Sequence, residues 1–220
     1  MRVLFAIKSL VNPGGGAERV FAEVVGGLHA KGEDLKILTF DQSNCRSFYN
    51  VPEEVERINI GIGDSATPAG KLNTIQRIWA IRREVLKLQP DIAVGFMHSM
   101  FVPLGIALTG TEIPVIGSEH IVREHYRNRL GEWMLVCASP FWLKQMTAVS
   151  NQARSSYPNH IKDMMSVIPN PISINVRKKA DVLGEGKQKV LLAVGSLRKQ
   201  KGFLTLIQAF GAIAGNFPNW

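Results

Sequence analysis

The chain has 220 residues, 45% of them hydrophobic, which is an ordinary globular composition able to bury one good core and part of a second, and it excludes a low-complexity chain. Its two cysteines, Cys45 and Cys137, lie far apart without C-x-x-C spacing, which fits free thiols in a reducing, cytoplasmic compartment better than a disulfide framework or a zinc site. Against 18 Asp plus Glu stand 26 Lys plus Arg, and the resulting charge of +8 predicts affinity for something anionic: nucleic acid, lipid headgroups or a phosphorylated ligand.

The first element is a strand, "RVLFAI", followed directly by Lys8, with no cleavage pattern of a signal peptide. "NPGGGAERV" comes next and opens a helix over Ala17 to Lys31, with Val20, Val24 and Leu28 on one face and Gly32 as a stop. Strands "DLKILTF" and "VERINI" follow. A second helix, Lys71 to Leu88, sets Ile75, Ile78, Trp79, Ile81, Val85 and Leu88 broadly on one side before Pro90 ends it. Then come strands "DIAVGF" and "IPVIGS". The longest apolar run, Trp133 to Leu143, is well short of the ~18 residues that span a bilayer and is interrupted by Pro140. Strands "MTAV" and "SVI" lead into the polar stretch "NVRKKADVLGEGKQK", which predicts a boundary between a first domain at 1–175 and a second at 188–220. The second opens with a strand, Lys189 to Ser196, a basic turn and a helix from Phe203 to Ala214. One strand and one helix cannot bury their own faces, so this domain reads as incomplete.

Strands alternating with helices predict an α/β fold: a doubly wound, Rossmann-like parallel sheet covered on both faces. Such sheets bind ligands beyond the carboxyl ends of their strands. The loops there carry Gly15, Gly16 and Glu18 after the first strand, His98 in "FMHS", Glu119 and His120 in "GSEH", and Asn151 in "AVSN", all expected to line one crevice.

Three glycines at a helix start bring backbone N–H groups and the positive end of a dipole close to an anion. The dinucleotide pattern G-x-G-x-x-G fails here because Arg19 stands at the third glycine, although Asp41 at the end of the second strand could act as a ribose-binding acid and keeps a nicotinamide-dependent oxidoreductase as an alternative. No Gly-Lys-Ser/Thr of a P-loop follows. Glu119, His120, Glu124 and His125 lack zinc-helix spacing, so no metal is expected from them. In "VGSLRKQKG", Arg198 and Lys201 would present cations beside a helix N-terminus, suited to a diphosphate. The basic residues Arg77, Arg82, Arg83, Arg123 and Arg127 predict peripheral docking on anionic lipid. No helix-turn-helix, zinc-finger or RRM signature supports nucleic acid as a partner.

In order along the chain, "GGGAERV", "GSEH", "TAVSN", "VIPNPI" and "VGSLRKQKGFLTLIQAF" resemble the GT-B glycosyltransferases of family 4. The resemblance implies a first, acceptor-side domain followed by the start of a donor domain. The activity it implies is retaining transfer of a hexose or N-acetylhexosamine from a nucleotide-diphosphate sugar to a glycan or lipid-linked acceptor, without a metal. Gly15 and Gly16 would then admit the donor phosphates, His120 would touch the transferred sugar with Glu119 beside it, and Lys201 would neutralise the leaving diphosphate. Ser196 stands where the family turn has arginine, a place that Arg198 could fill. A non-catalytic binding module of the same fold at a membrane surface is the other reading.

Overall fold

The structure is a computed structural model and describes residues 1–11, 15–65, 70–171, 189–195, 197 and 201–220. By its internal contacts the chain divides into two units, Met1–Ile172 and Ser173–Trp220.

The first unit is built on seven strands: β1 (Arg2–Ala6), β2 (Asp34–Thr39), β3 (Glu56–Asn59), β4 (Ile92–Phe96), β5 (Val115–Glu119), β6 (Gln145–Ala148) and β7 (Met165–Val167). Each falls where an apolar run predicts it. All pair in parallel in the order β3-β2-β1-β4-β5-β6-β7, with Val3 opposite both Leu35 and Ile92. The order reverses between β1 and β4, so a crevice opens at their carboxyl ends. This is the Rossmann-like sheet expected.

Side-chain alternation along β1 divides the core in two. Val3 and Phe5 face helix α1 (Gly16–His29) and pack on Val20, Phe21 and Val25. Leu4 and Ala6 face the other way, toward Ile81 and Val85 of α2 (Lys71–Leu88) and Phe101 and Leu104 of α3 (His98–Leu108). Helix α1 ends two residues before the expected Lys31, and Gly32, at φ +83°, turns the chain into β2. Helix α2 has the expected bounds but a narrower buried face. Ile81 and Val85 are buried and Ile78 and Leu88 pack partly, whereas Ile75 and Trp79 are 54% and 70% exposed. The remaining helices of this unit, α4 (Leu130–Cys137), α5 (Asn151–Ser155) and α6 (Asn159–Lys162), follow β5 and β6.

In the second unit, α7 (Phe203–Ile213) forms as expected, with Ala214 passing into a 3-10 turn. The strand expected at Lys189–Ser196 does not form over 189–195, where the backbone is irregular and Val190, Leu192 and Val194 are exposed. A strand exists only through its ladder, and among the described residues this unit has no second strand to pair with it.

Candidate active site

Strand β5 delivers the central residue. Because neighbouring side chains of a strand leave on opposite faces, Ser118 and His120 point to one side of the sheet and Glu119 to the other. On the first side lies a cavity of about 210 Å³, bounded by Phe5 of β1, Val20 and Val24 of α1, Phe96, Ser118, His120, Thr147 and Asn170. It sits on the α1 face, beside the switch point of the sheet.

His120 is fixed from two directions. Its ring stacks on Phe96 with centroids 5.1 Å apart and planes 17° off parallel. Its Nε2 lies 3.0 Å from Ser118 Oγ, which accepts the Thr147 hydroxyl at 3.1 Å. Burial lowers the pKa of the imidazole and favours the neutral ring near pH 7, while the Asn170 side chain works in the opposite direction. Asn170 closes no well-aligned hydrogen bond, and Nδ1 is buried without a partner among the described residues. Nδ1 is thus the hydrogen-bonding capacity left to this cavity-lining residue, and a ligand hydroxyl reaches it with a small shift of the buried ring.

Glu119 takes a different place from the one expected. Its carboxylate is enclosed, accepts the backbone N–H groups of His120 and Ile121 at 3.0 and 3.1 Å, and accepts the Tyr126 hydroxyl at 2.7 Å. Burial pushes its pKa up to about 7, against the hydrogen bonds of Tyr126 and the two amides. Glu119 therefore holds the turn that aims His120 and does not enter the cavity. Burial beside this carboxylate in turn raises the phenol pKa values of Tyr126 and Tyr157.

The other expected residues of the first unit do not line this cavity. Gly15 and Gly16 are exposed at the start of α1, which has no side-chain cap, and a Cβ on Gly16 would meet nothing within 4 Å. Gly14 lies outside the described residues. Glu18 is half-buried in the first turn of α1, and Asn151 is exposed at the start of α5, where Ser150 caps the helix through the Ala153 amide at 3.0 Å. His98 opens α3 and bonds Tyr126 and Glu132, away from the cavity lining; burial and the nearby His125 and Arg129 lower its pKa against the pull of Glu132. Met97, just before it, has φ +64°, a region costly for a side-chain-bearing residue, and donates its N–H to Ser118 O at 2.8 Å. Lys201 is exposed in the second unit, and Ser196 and Arg198 lie outside the described residues.

Asp41 is not free to hold a ribose. It is buried, and its carboxylate accepts from Ser9, Ser65, Arg57 and the Leu10 amide, pinning the loop after β1 to the end of β2. Arg77 is likewise removed from the surface. It is buried over the Phe40 ring at 4.4 Å and donates to the carbonyls of Ile62 and Asp64. Sequence reasoning missed Ser118, Thr147 and Asn170. The alternation through "GSEH" was the available signal for Ser118, and Asn170 sits inside "VIPNPI".

The model of Glycosyltransferase Family 4 matches residues 14–176. An uncharacterized glycosyltransferase of Haemophilus influenzae is 25% identical over 221 residues, covering 96% of this chain and 58% of its own length. The chain thus spans a little over half of that relative. Among solved structures, the lipopolysaccharide outer core galactosyltransferase WaaB in its apo form matches at a TM-score of 0.56 and 13% identity, over 79% of this chain and 47% of that one. Anabaena HepE, solved in complex with UDP, matches at 0.56 and 15%, over 82% and 47%. At such identities these structures speak for the fold alone.

Proposed function

Because the chain belongs to glycosyltransferase family 4, we propose that it forms the acceptor-side part of a retaining glycosyltransferase. The donor is a nucleotide-diphosphate sugar carrying a hexose or N-acetylhexosamine, and the acceptor is a glycan or a lipid-linked glycan. The observation that carries this reading is His120, neutral, stacked and short of one hydrogen-bond partner at the wall of a cavity beside the switch point.

In the transfer, the anomeric C–O bond to the diphosphate breaks while the acceptor oxygen bonds to the same carbon from the same face. The acceptor proton leaves with the departing phosphate oxygen. His120 holds a hydroxyl of the transferring sugar in place, and a neutral ring suits that task because it adds no charge against the positive character developing on the sugar. The uncapped start of α1 at Gly15 and Gly16 offers backbone N–H groups to the phosphates. Lys201 and Arg198 supply the cations that stabilise the leaving diphosphate. The transfer itself calls on no metal or resident cofactor. A lipid-linked acceptor is met at the inner face of the cytoplasmic membrane, where exposed Leu72, Ile75 and Trp79 of α2 beside Arg83 favour peripheral docking.

UDP-sugars are the donors to try first, since HepE was solved with UDP. In the full-length protein, His120→Ala is expected to lower kcat by at least ~10²-fold with the fold retained. Unchanged turnover would make His120 structural. Saturation-transfer NMR separates the alternative: strong contact with NAD and none with any UDP- or GDP-sugar would overturn the reading.

A further inference from the structure

Away from the cavity, His98 at the start of α3, His125 in the 3-10 turn Arg123–Tyr126 and Glu132 in the first turn of α4 converge. One ligating atom from each lies within 4.8 Å of the other two. The hydrogen bonds around His98 determine what its ring presents there. When Glu119 is ionised, Tyr126 donates its O–H to Glu119 Oε2, so its oxygen is the acceptor in the 3.0 Å contact with His98 Nδ1, and the ring proton sits on Nδ1. His98 Nε2 then carries a lone pair, and it faces Glu132 Oε2 at 3.1 Å. Two lone pairs directed at each other at that separation need a positive charge between them, a proton or a metal ion. A proton would account for two groups. The third, His125, brings a ring nitrogen within 4.8 Å of both.

We propose that His98, His125 and Glu132 form a binding site for a divalent transition-metal ion of the zinc type. Two imidazoles and one carboxylate are a borderline nitrogen and oxygen set that suits Zn²⁺ and leaves a fourth position open. Ligand atoms each 2.0–2.1 Å from a tetrahedral ion stand roughly 3.3 Å apart, close to the observed Nε2 to Oε2 separation, so His98 and Glu132 need little movement. Behind them, the His98–Tyr126–Glu119 chain supplies the carboxylate-linked hydrogen bonding that orients a ligating histidine and fixes its tautomer. Arg129 touches both Glu132 oxygens at 3.2 and 3.3 Å from an exposed position, and the ion would compete with this pair for the carboxylate. The ion ties the start of α3 to the 3-10 turn after β5 and to the first turn of α4. This inference stands apart from the transfer reading, since none of its three residues lines the cavity.

The test is a titration of the chelator-treated chain, its thiols alkylated to silence Cys45 and Cys137, with ZnCl₂ by calorimetry and with Co²⁺ by visible absorption. One equivalent per chain, with the d–d bands of low-coordinate Co²⁺, is expected. Binding weakened by ~10-fold or more in both His125→Ala and Glu132→Gln is expected too, since loss of even an outer partner costs ~10–100-fold. His125 is exposed, so its variant should keep the wild-type circular dichroism spectrum. No saturable binding, meaning a proton alone between Nε2 and Oε2, or binding equal to wild type in both variants, would overturn the proposal.

Discussion

The titration of Glu119 shows how one buried carboxyl couples the site to stability. Its folded pKa of about 7 lies above the ordinary 4.5, so between those values the folded chain holds a proton that the unfolded chain has lost. The contribution of Glu119 to stability should therefore fall as pH rises through that window and level off above it, by on the order of 3 kcal/mol in all. Glu119→Gln removes this contribution and leaves the opposite one of His98 and His120, whose lowered pKa values favour the folded state as pH rises, so the variant should gain stability relative to the wild type across the window. Urea denaturation of both proteins at a series of pH values checks this. A wild-type slope retained by the variant would assign the titration to another group. The same residue marks a limit of reading by sequence. "GSEH" puts Glu119 and His120 side by side, but a strand sends them to opposite faces, so only His120 reaches the cavity.

Among the elements, α3 packs on β4 where Gly95 leaves no room for a side chain. A Cβ there would stand 2.6 Å from Phe101 Cα, a backbone atom that yields only if the helix moves. Gly95→Ala should cost about 2 kcal/mol or more, as overpacking does. Gly27→Ala is the control: it is exposed inside α1, with nothing within 4 Å of the new Cβ, and should stabilise by up to about 1 kcal/mol. Midpoints of denaturation at unchanged m-value measure both, and equal shifts for the two would refute the packing argument. The strands were legible because a parallel sheet buried on both faces writes each strand as an apolar run bounded by turns. The expected strand at 189–195 was not distinguishable by such a run, since its existence depends on a pairing partner that the run does not encode. Helical period likewise put Ile75 and Trp79 on the buried side of α2, yet only a narrower stripe finds core to meet. The cluster of His98, His125 and Glu132 was hidden for a third reason: it forms only when the turn after β5 folds back on the start of α3.

At the scale of the whole molecule, the charge of +8 has to be divided between cations that are engaged and cations that are available. Arg77 is buried, and Arg82 donates to the carbonyls of Ala107 and Thr109 at 2.6 and 3.0 Å. Arg123 lies over the Trp133 ring at 5.4 Å but stays exposed, as do Arg127, Lys71 and Arg83, the last in an exposed pair with Glu84 at 2.8 Å. These surround exposed apolar side chains: Leu72, Ile75, Trp79 and Leu86 at one-face spacing along α2, and Leu130, Met134 and Phe141 around α4. No described helix is long and apolar enough to cross a membrane, so attachment through these features would be peripheral. Each basic residue near an anionic surface contributes roughly 1 kcal/mol, and several together suffice for measurable partitioning. The protein should float with vesicles containing anionic lipid, and raising the salt should release it as the Debye length shrinks. Trp79→Ser should weaken flotation at every salt concentration, because it removes apolar insertion. Arg83→Glu should act mainly at low salt, where its charge is least screened. Equal flotation on neutral and anionic vesicles would show that the basic side chains take no part.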